Sequence, residues 1–168
     1  MITGKEDGLK VLIVEDNADL LEVLVDIVQR HFPKVFRAGS ATEALQQVKT
    51  YNPDFLIADI RMEGGSGIDF LTQVRKEGYD APALLCSAFP NAADLQRAIG
   101  LGVVDFIEKP FTTESVETAI FRMIEIQVRN FNLANMIATG APEEQITRQR
   151  RLISLHQAAN GSRHTKDS

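Results

Sequence analysis

Cysteine is almost missing from the 168 residues, with Cys86 the single example. One thiol excludes an internal disulfide framework and cannot build a metal cluster alone. It lies in an apolar run and is expected to be buried and inert. Apolar stretches of membrane-spanning length are also missing. The opening MITGKEDGLK lacks the apolar core of a secretory leader. A cytoplasmic protein with no membrane contact is therefore expected. Nor is there an excess of positive charge: 23 acidic residues outnumber 18 basic ones, for a net charge of −5. That balance excludes whole-surface attraction to nucleic acid, and no direct nucleic-acid binding is expected. No internal repeat suggests a solenoid. What is present is an apolar fraction of 44%, enough for a packed core in one ordinary domain with some chain left over.

Five short apolar runs punctuate the sequence: Val11–Val14, Lys34–Phe36, Phe55–Ala58, Ala83–Cys86 and Val103–Ile107. Four are nearly continuous in apolar residues, as strands covered on both faces require. The second is more polar and suits an edge. Helical periods fill the gaps. Leu20, Leu21, Leu24, Ile27 and Val28 form one stripe after Asp16-Asn17. Ser40 can cap a second helix, with Glu43 as its capping-box partner. Ser66 can cap a third with Asp69 in its first turn, and Asn91 a fourth that Gly100 and Gly102 end. Thr112 or Thr113 opens a fifth. The pattern is (βα)₅ over roughly residues 9–130, a doubly wound parallel sheet.

In such sheets ligands bind beyond the carboxyl ends of the strands. Glu15 and Asp16 follow the first strand, Asp59 ends the third, Ser87 ends the fourth, and Lys109-Pro110 follows the fifth. Singly, the acidic pair would serve as a helix start and Lys109 as a solvated charge. Together they place three carboxylates, a hydroxyl and an ammonium on one rim. Three adjoining acids repel unless a cation neutralises them. Oxygen-only ligands suit Mg²⁺, with Mn²⁺ a substitute, and the lack of nearby His or Cys argues against zinc. A cation and Lys109 can share the charge of a phosphate during transfer to a carboxylate oxygen. This is the chemistry of a phosphoaspartate site.

The segments VLIVEDNADL, FLIADIRMEGGSGIDFL, ALLCSA and VVDFIEKPF resemble the receiver domains of two-component response regulators. The resemblance spans residues 11–111 and implies a flavodoxin-like sheet with strand order 2-1-3-4-5, counting the five runs along the chain. It implies Asp59 as phosphoacceptor, Asp16 as a direct Mg²⁺ ligand, Glu15 as a ligand through water, and the Arg61 backbone carbonyl as a further ligand. Ser87 would sense the phosphoryl group, Lys109 would pair with it, and Phe106 would be the switch aromatic. The bond to Pro110 is expected to be cis, aiming Lys109 into the site. The partners implied are a sensor histidine kinase or histidine phosphotransfer protein, plus a downstream protein. The family often has Pro four residues after its phosphoacceptor; here Glu63 stands there, followed by Gly64-Gly65. That loop is expected to be looser, and the extra acid to weaken phosphoryl binding. Arg61 and Phe89, both large, occupy positions that influence water access, so slow dephosphorylation is expected.

Beyond the receiver, Phe121, Ile124, Val128, Phe131, Asn135 and Ala138 alternate steps of three and four, a heptad-like seam on a prolonged fifth helix. Its first part, up to about Phe121, is expected to pack on the sheet. A turn at 139–142 and a short helix from Pro142 complete a helical extension over 131–158, with 159–168 a disordered tail or linker. Residues 143–168 carry five Lys/Arg against three Asp/Glu, a net of +2, too little for DNA binding. The expected use is docking, including a homodimer through the fifth helix and tail. The preferred reading is a regulatory switch and not an enzyme. Alternatives are the N-terminal receiver of a longer regulator with an enzymatic or DNA-binding output, a constitutive pseudo-receiver scaffold, or a hydrolase on the same fold.

Overall fold

A computed structural model describes residues 8–151. Five parallel strands form the sheet: β1 (Lys10–Val14), β2 (Lys34–Ala38), β3 (Phe55–Asp59), β6 (Ala83–Ser87) and β7 (Val103–Glu108), in the order β2-β1-β3-β6-β7. This is the expected doubly wound order, with the polar strand β2 at an edge. The strands read as continuous apolar runs because successive side chains enter opposite cores. Val11 and Ile13 of β1 join Phe55 and Ile57 of β3 in one core. Leu12 and Val14 join Leu56 and Ala58 in the other. Along β7 the register steps from Ala83–Val103 to Leu84–Asp105, so Val104 is the extra residue of a bulge.

Helices α1 (Ala18–Val28) and α5 (Thr113–Ala138) cover the first core, while α2 (Ala41–Tyr51), α3 (Gly67–Lys76) and α4 (Ala92–Gly100) cover the second. Their starts are where the cap residues fall. Asn17, Ser40, Ser66 and Asn91 each accept a backbone N–H from the first turn of their helix. Thr112 and Ser115 make a reciprocal capping box at α5. At α2 the Glu43 carboxylate reaches the Gly39 N–H at 2.8 Å, one residue before the expected Ser40. Among the described residues no helix is long and apolar enough to cross a membrane.

Two features depart from expectation. Residues after Asp59 close into a small antiparallel hairpin, β4 (Arg61–Met62) and β5 (Gly65–Ser66), with Glu63-Gly64 as its two-residue turn. Gly64, the second turn residue, takes a φ of +75°, which glycine adopts without steric cost. The supposedly loose loop therefore has a defined shape. Second, Phe121 does not pack on the sheet and is 56% exposed. Val116, Ile120 and Met123 face the core. One residue beyond Ile120 turns about 100° round the helix, which brings the Phe121 ring edge-on to His31, 5.3 Å between centroids.

Helix α5 ends at Gly140 (φ +70°), where the Ala141 N–H bonds to the Met136 carbonyl and the Gly140 N–H to the Ile137 carbonyl. The chain is helical again from 143 to 151. Pro142 takes the cap position, so this helix begins one residue later than expected, and the Pro142 carbonyl accepts from the Ile146 N–H. The rest of the expected tail helix and the 159–168 tail lie outside the described residues.

Away from the carboxyl rim, Arg75 ties two loops together, the one after α3 and the one after α4. Its guanidinium donates to the carbonyls of Leu101 (3.0 Å), Tyr79 (2.7 Å) and Ala81 (2.7 Å). Arg75→Met would leave those carbonyls unpaired. The expected loss is roughly 2–4 kcal/mol, read as a lower urea midpoint at unchanged slope.

Candidate functional site

The parallel sheet brings the strand ends together, so residues distant in sequence meet on one rim. Glu15 follows β1 and is pinned by its own N–H, which donates to the Ala38 carbonyl at 3.1 Å. Asp59 closes β3, and the Ile60 N–H just after it donates to the Cys86 carbonyl at 2.8 Å. Ser87 closes β6 and accepts the Lys109 N–H on its carbonyl at 2.8 Å. The Lys109–Pro110 bond is cis, as expected. Carboxylate oxygens of Glu15, Asp16 and Asp59 all lie within 4.8 Å of one another. The Lys109 Nζ sits among them, 2.7 Å from Glu15 Oε2 and 3.2 Å from Asp59 Oδ2.

Burial makes this grouping electrostatically demanding. Glu15 and Asp59 are almost fully buried, while Asp16 is exposed. Burial pushes the Asp59 carboxyl above the ordinary range, against the charge and hydrogen bond of Lys109 and a hydrogen bond from the Arg61 N–H. Glu15 is raised for the same first reason, despite hydrogen bonds from Lys109 and the Asn17 N–H. Asp16 is held low, first by the Glu63 N–H. For Lys109 burial works downward, but the hydrogen bond to Glu15 and the two neighbouring negative charges outweigh it and lift the ammonium. One lysine against three acids leaves the pocket short of positive charge. The donor set, all oxygen and largely buried, fits a hard divalent cation.

The hairpin supplies more than a connection. Its Glu63 N–H donates to Asp16 Oδ2 at 2.6 Å, holding that carboxylate toward the cluster. The Arg61 side chain reaches Asp94 in the first turn of α4, at 3.9 Å. Phe89 is 82% exposed at the rim, and its N–H donates to Ser87 Oγ at 3.2 Å. Phe106 is half-buried against the second core. Cys86 is buried as expected, and burial pushes its thiol up to about 12.

Sequence reasoning missed Gly67 and Asp94. A Cβ on Gly67 would lie 2.1 Å from the Asp59 carbonyl oxygen, so only glycine lets α3 start against the acidic strand end. No local pattern marks it, because the obstructing carbonyl belongs to Asp59 at the end of β3. Gly67→Ala is expected to destabilise the fold by about 3 kcal/mol or more, because the obstruction is backbone and cannot swing aside. Urea unfolding checks this, and a midpoint within error of the parent would refute the close approach.

Comparison with known proteins agrees with this geometry. Residues 11–121 match the model of the response regulator receiver domain. The chain is 37% identical over 116 residues to the chemotaxis protein CheY of Thermotoga maritima, covering 67% of this chain and 95% of that one. It is 31% identical over 112 residues to the two-component response regulator PhoP of Pseudomonas aeruginosa, of which it spans 50%. Among solved structures, the N-terminal domain of an uncharacterized Wolinella succinogenes protein matches with a TM-score of 0.66 and 33% identity, over 73% of this chain and 98% of that one. The chain thus belongs to the response regulator receiver family, a family of regulatory domains.

Proposed function

We propose that the chain is a phosphorylation-dependent switch of a two-component system. In this reading Asp59 accepts a phosphoryl group from a sensor histidine kinase or a histidine phosphotransfer protein. The observation that carries it is the convergence of Glu15, Asp16 and Asp59 within 4.8 Å with Lys109 among them. Glu15, Asp16, Asp59 and the Arg61 backbone carbonyl would hold Mg²⁺, with Mn²⁺ suited to the same donors. When bound, the ion supplies positive charge for the phosphoryl oxygens.

This chain's residues do the rest. A carboxylate oxygen of Asp59 forms the new O–P bond as the donor's P–N bond breaks, and the imidazole nitrogen keeps the electron pair. Lys109 draws on the same oxygens as a point charge. The Ser87 hydroxyl, now accepting from the Phe89 N–H, is free to rotate its proton toward the added group. Phe106 follows from the half-buried position it holds. The signalling surface is α4, β7 and α5. There α4 buries only Ala98, and Arg122 of α5 pairs with the buried Asp105 of β7. A weakly anchored helix beside a part-buried ion pair suits two populated arrangements. The receiver unit is residues 9–130, followed by the helical extension. A second reading, a receiver serving a longer regulator, has the half-length match to PhoP in its favour.

Asp59→Asn should abolish incorporation of labelled phosphoryl from acetyl phosphate or a cognate kinase in Mg²⁺, and chelation should do the same to the parent. Full labelling of the variant would overturn the assignment. Arg61 and Phe89 are large and border the rim, so the phosphoprotein is expected to lose its label slowly. Decay within seconds in Mg²⁺ would contradict that.

A further inference from the structure

At the edge of the carboxyl rim stands a second cation, Arg61, whose side chain is engaged elsewhere. Its backbone N–H bonds the Asp59 carboxylate. The hairpin fixes where the side chain goes. Arg61 pairs with Ser66 across the two short strands, and alternation turns Met62 into the core and Arg61 outward. The Arg61 side chain is 67% exposed, and its guanidinium meets Asp94 across 3.9 Å. A long, single, hydrated contact of this kind is a weak ion pair. Asp94 lies in the first turn of α4, where the helix dipole favours an acid. That helix is lightly held. Its buried residue Ala98 and the ion pair from Arg97 to Asp69 of α3 both lie in its second half. In its first half, among the described residues, the ion pair is Asp94 with Arg61. Arg61 thus ties the amino end of α4 to the segment that carries Asp59.

We propose that the Arg61 guanidinium is a phosphoryl-binding group held in reserve by Asp94. It leaves Asp94 for the phosphoryl oxygens on Asp59, and in leaving it frees the amino end of α4. This rests on the reading of Asp59 as the phosphoacceptor. Phosphorylation replaces one carboxylate charge by roughly −1.5 to −2, so the rim becomes more negative whatever cation it holds. Lys109 is a point charge already shared between Glu15 and Asp59, at 2.7 and 3.2 Å. Arg61 has a planar fork that fits two phosphoryl oxygens at once, a stronger contact than its single one to Asp94. Its backbone N–H can stay on Asp59 while the exposed side chain turns. One movement therefore brings the phosphoryl group a further cation and removes a tie from α4. By linkage, Asp94 opposes phosphoryl binding by as much as the phosphoryl group loosens α4 from Arg61.

A double-mutant cycle on the full chain tests this, reading the affinity for the phosphoryl mimic beryllofluoride in Mg²⁺. Arg61→Gln should bind about tenfold more weakly than the parent. Asp94→Asn should bind about threefold more tightly, because Arg61 no longer has a partner to leave. In the Arg61→Gln background, Asp94→Asn should change nothing. Hydrogen exchange gives a second readout. Amides in the first turn of α4 should exchange faster in the parent once beryllofluoride is added. They should already exchange faster in Arg61→Gln without it, since that substitution leaves α4 itself unaltered. Circular dichroism confirms that each variant is folded. Arg61→Gln binding as tightly as the parent overturns the proposal. So does an Asp94→Asn gain of equal size in both backgrounds, which would mean that Asp94 acts through its field and not through Arg61. A folded parent that fails to bind beryllofluoride at all instead overturns the reading of Asp59, and this exchange falls with it.

Discussion

Repulsion among Glu15, Asp16 and Asp59 is the constraint around which the carboxyl rim is organised. Two of these acids are buried, and burying a carboxylate costs several kcal/mol unless charge and hydrogen bonds compensate. Each compensation comes from a different part of the fold. Lys109 arrives from β7, the Arg61 and Glu63 N–H groups from the hairpin, and the Asn17 N–H from the start of α1. None of these groups would reach the cluster without the parallel sheet that aligns their strand ends. The fold is thus the means of assembling a site whose own electrostatics oppose assembly. What remains uncompensated is a deficit of positive charge, which a cation of the kind proposed for the pocket would make up.

This rim was largely legible in the sequence because its logic is local. Strand ends are marked where apolar runs meet Glu15, Asp59 and Ser87, and helix starts where Asn17, Ser66 and Asn91 can bond the next turn. The features that stayed hidden depend on contacts that no local pattern announces. Gly67 is required because Asp59 presents a carbonyl to it, and nothing near Gly67 in sequence says so. Arg75 looks like a surface cation at the end of a helix until three loop carbonyls turn toward it. The hairpin was missed for another reason: Glu63-Gly64 was read as loosened backbone, whereas a glycine at positive φ equally completes a tight two-residue turn.

Phe121 shows a separate limit. A helix with two apolar stripes offers periodicity two phases to choose from, and spacing alone cannot say which phase meets the sheet. Val116, Ile120 and Met123 won because their side chains fill the first core beside Ile107 and Phe55. Phe121 then falls on the α1 side, against His31. The seam was real as a pattern, but its first member belongs to the outer face from the start.

That division matters for how a switch on this scaffold communicates. Helix α5 borders β7 through Arg122 and Asp105, and on another side it carries the open seam, where Val128 and Phe131 are exposed. Both surfaces share one rigid element. Any change at the rim that displaces α5 acts on both together, and by linkage whatever occupies the seam acts back on the rim with equal free energy. The coupling needs no chain of contacts across the domain, only that the two positions of one helix differ in how well they present Val128 and Phe131. A partner bound equally well by both positions would leave the rim unaffected, however tightly it held.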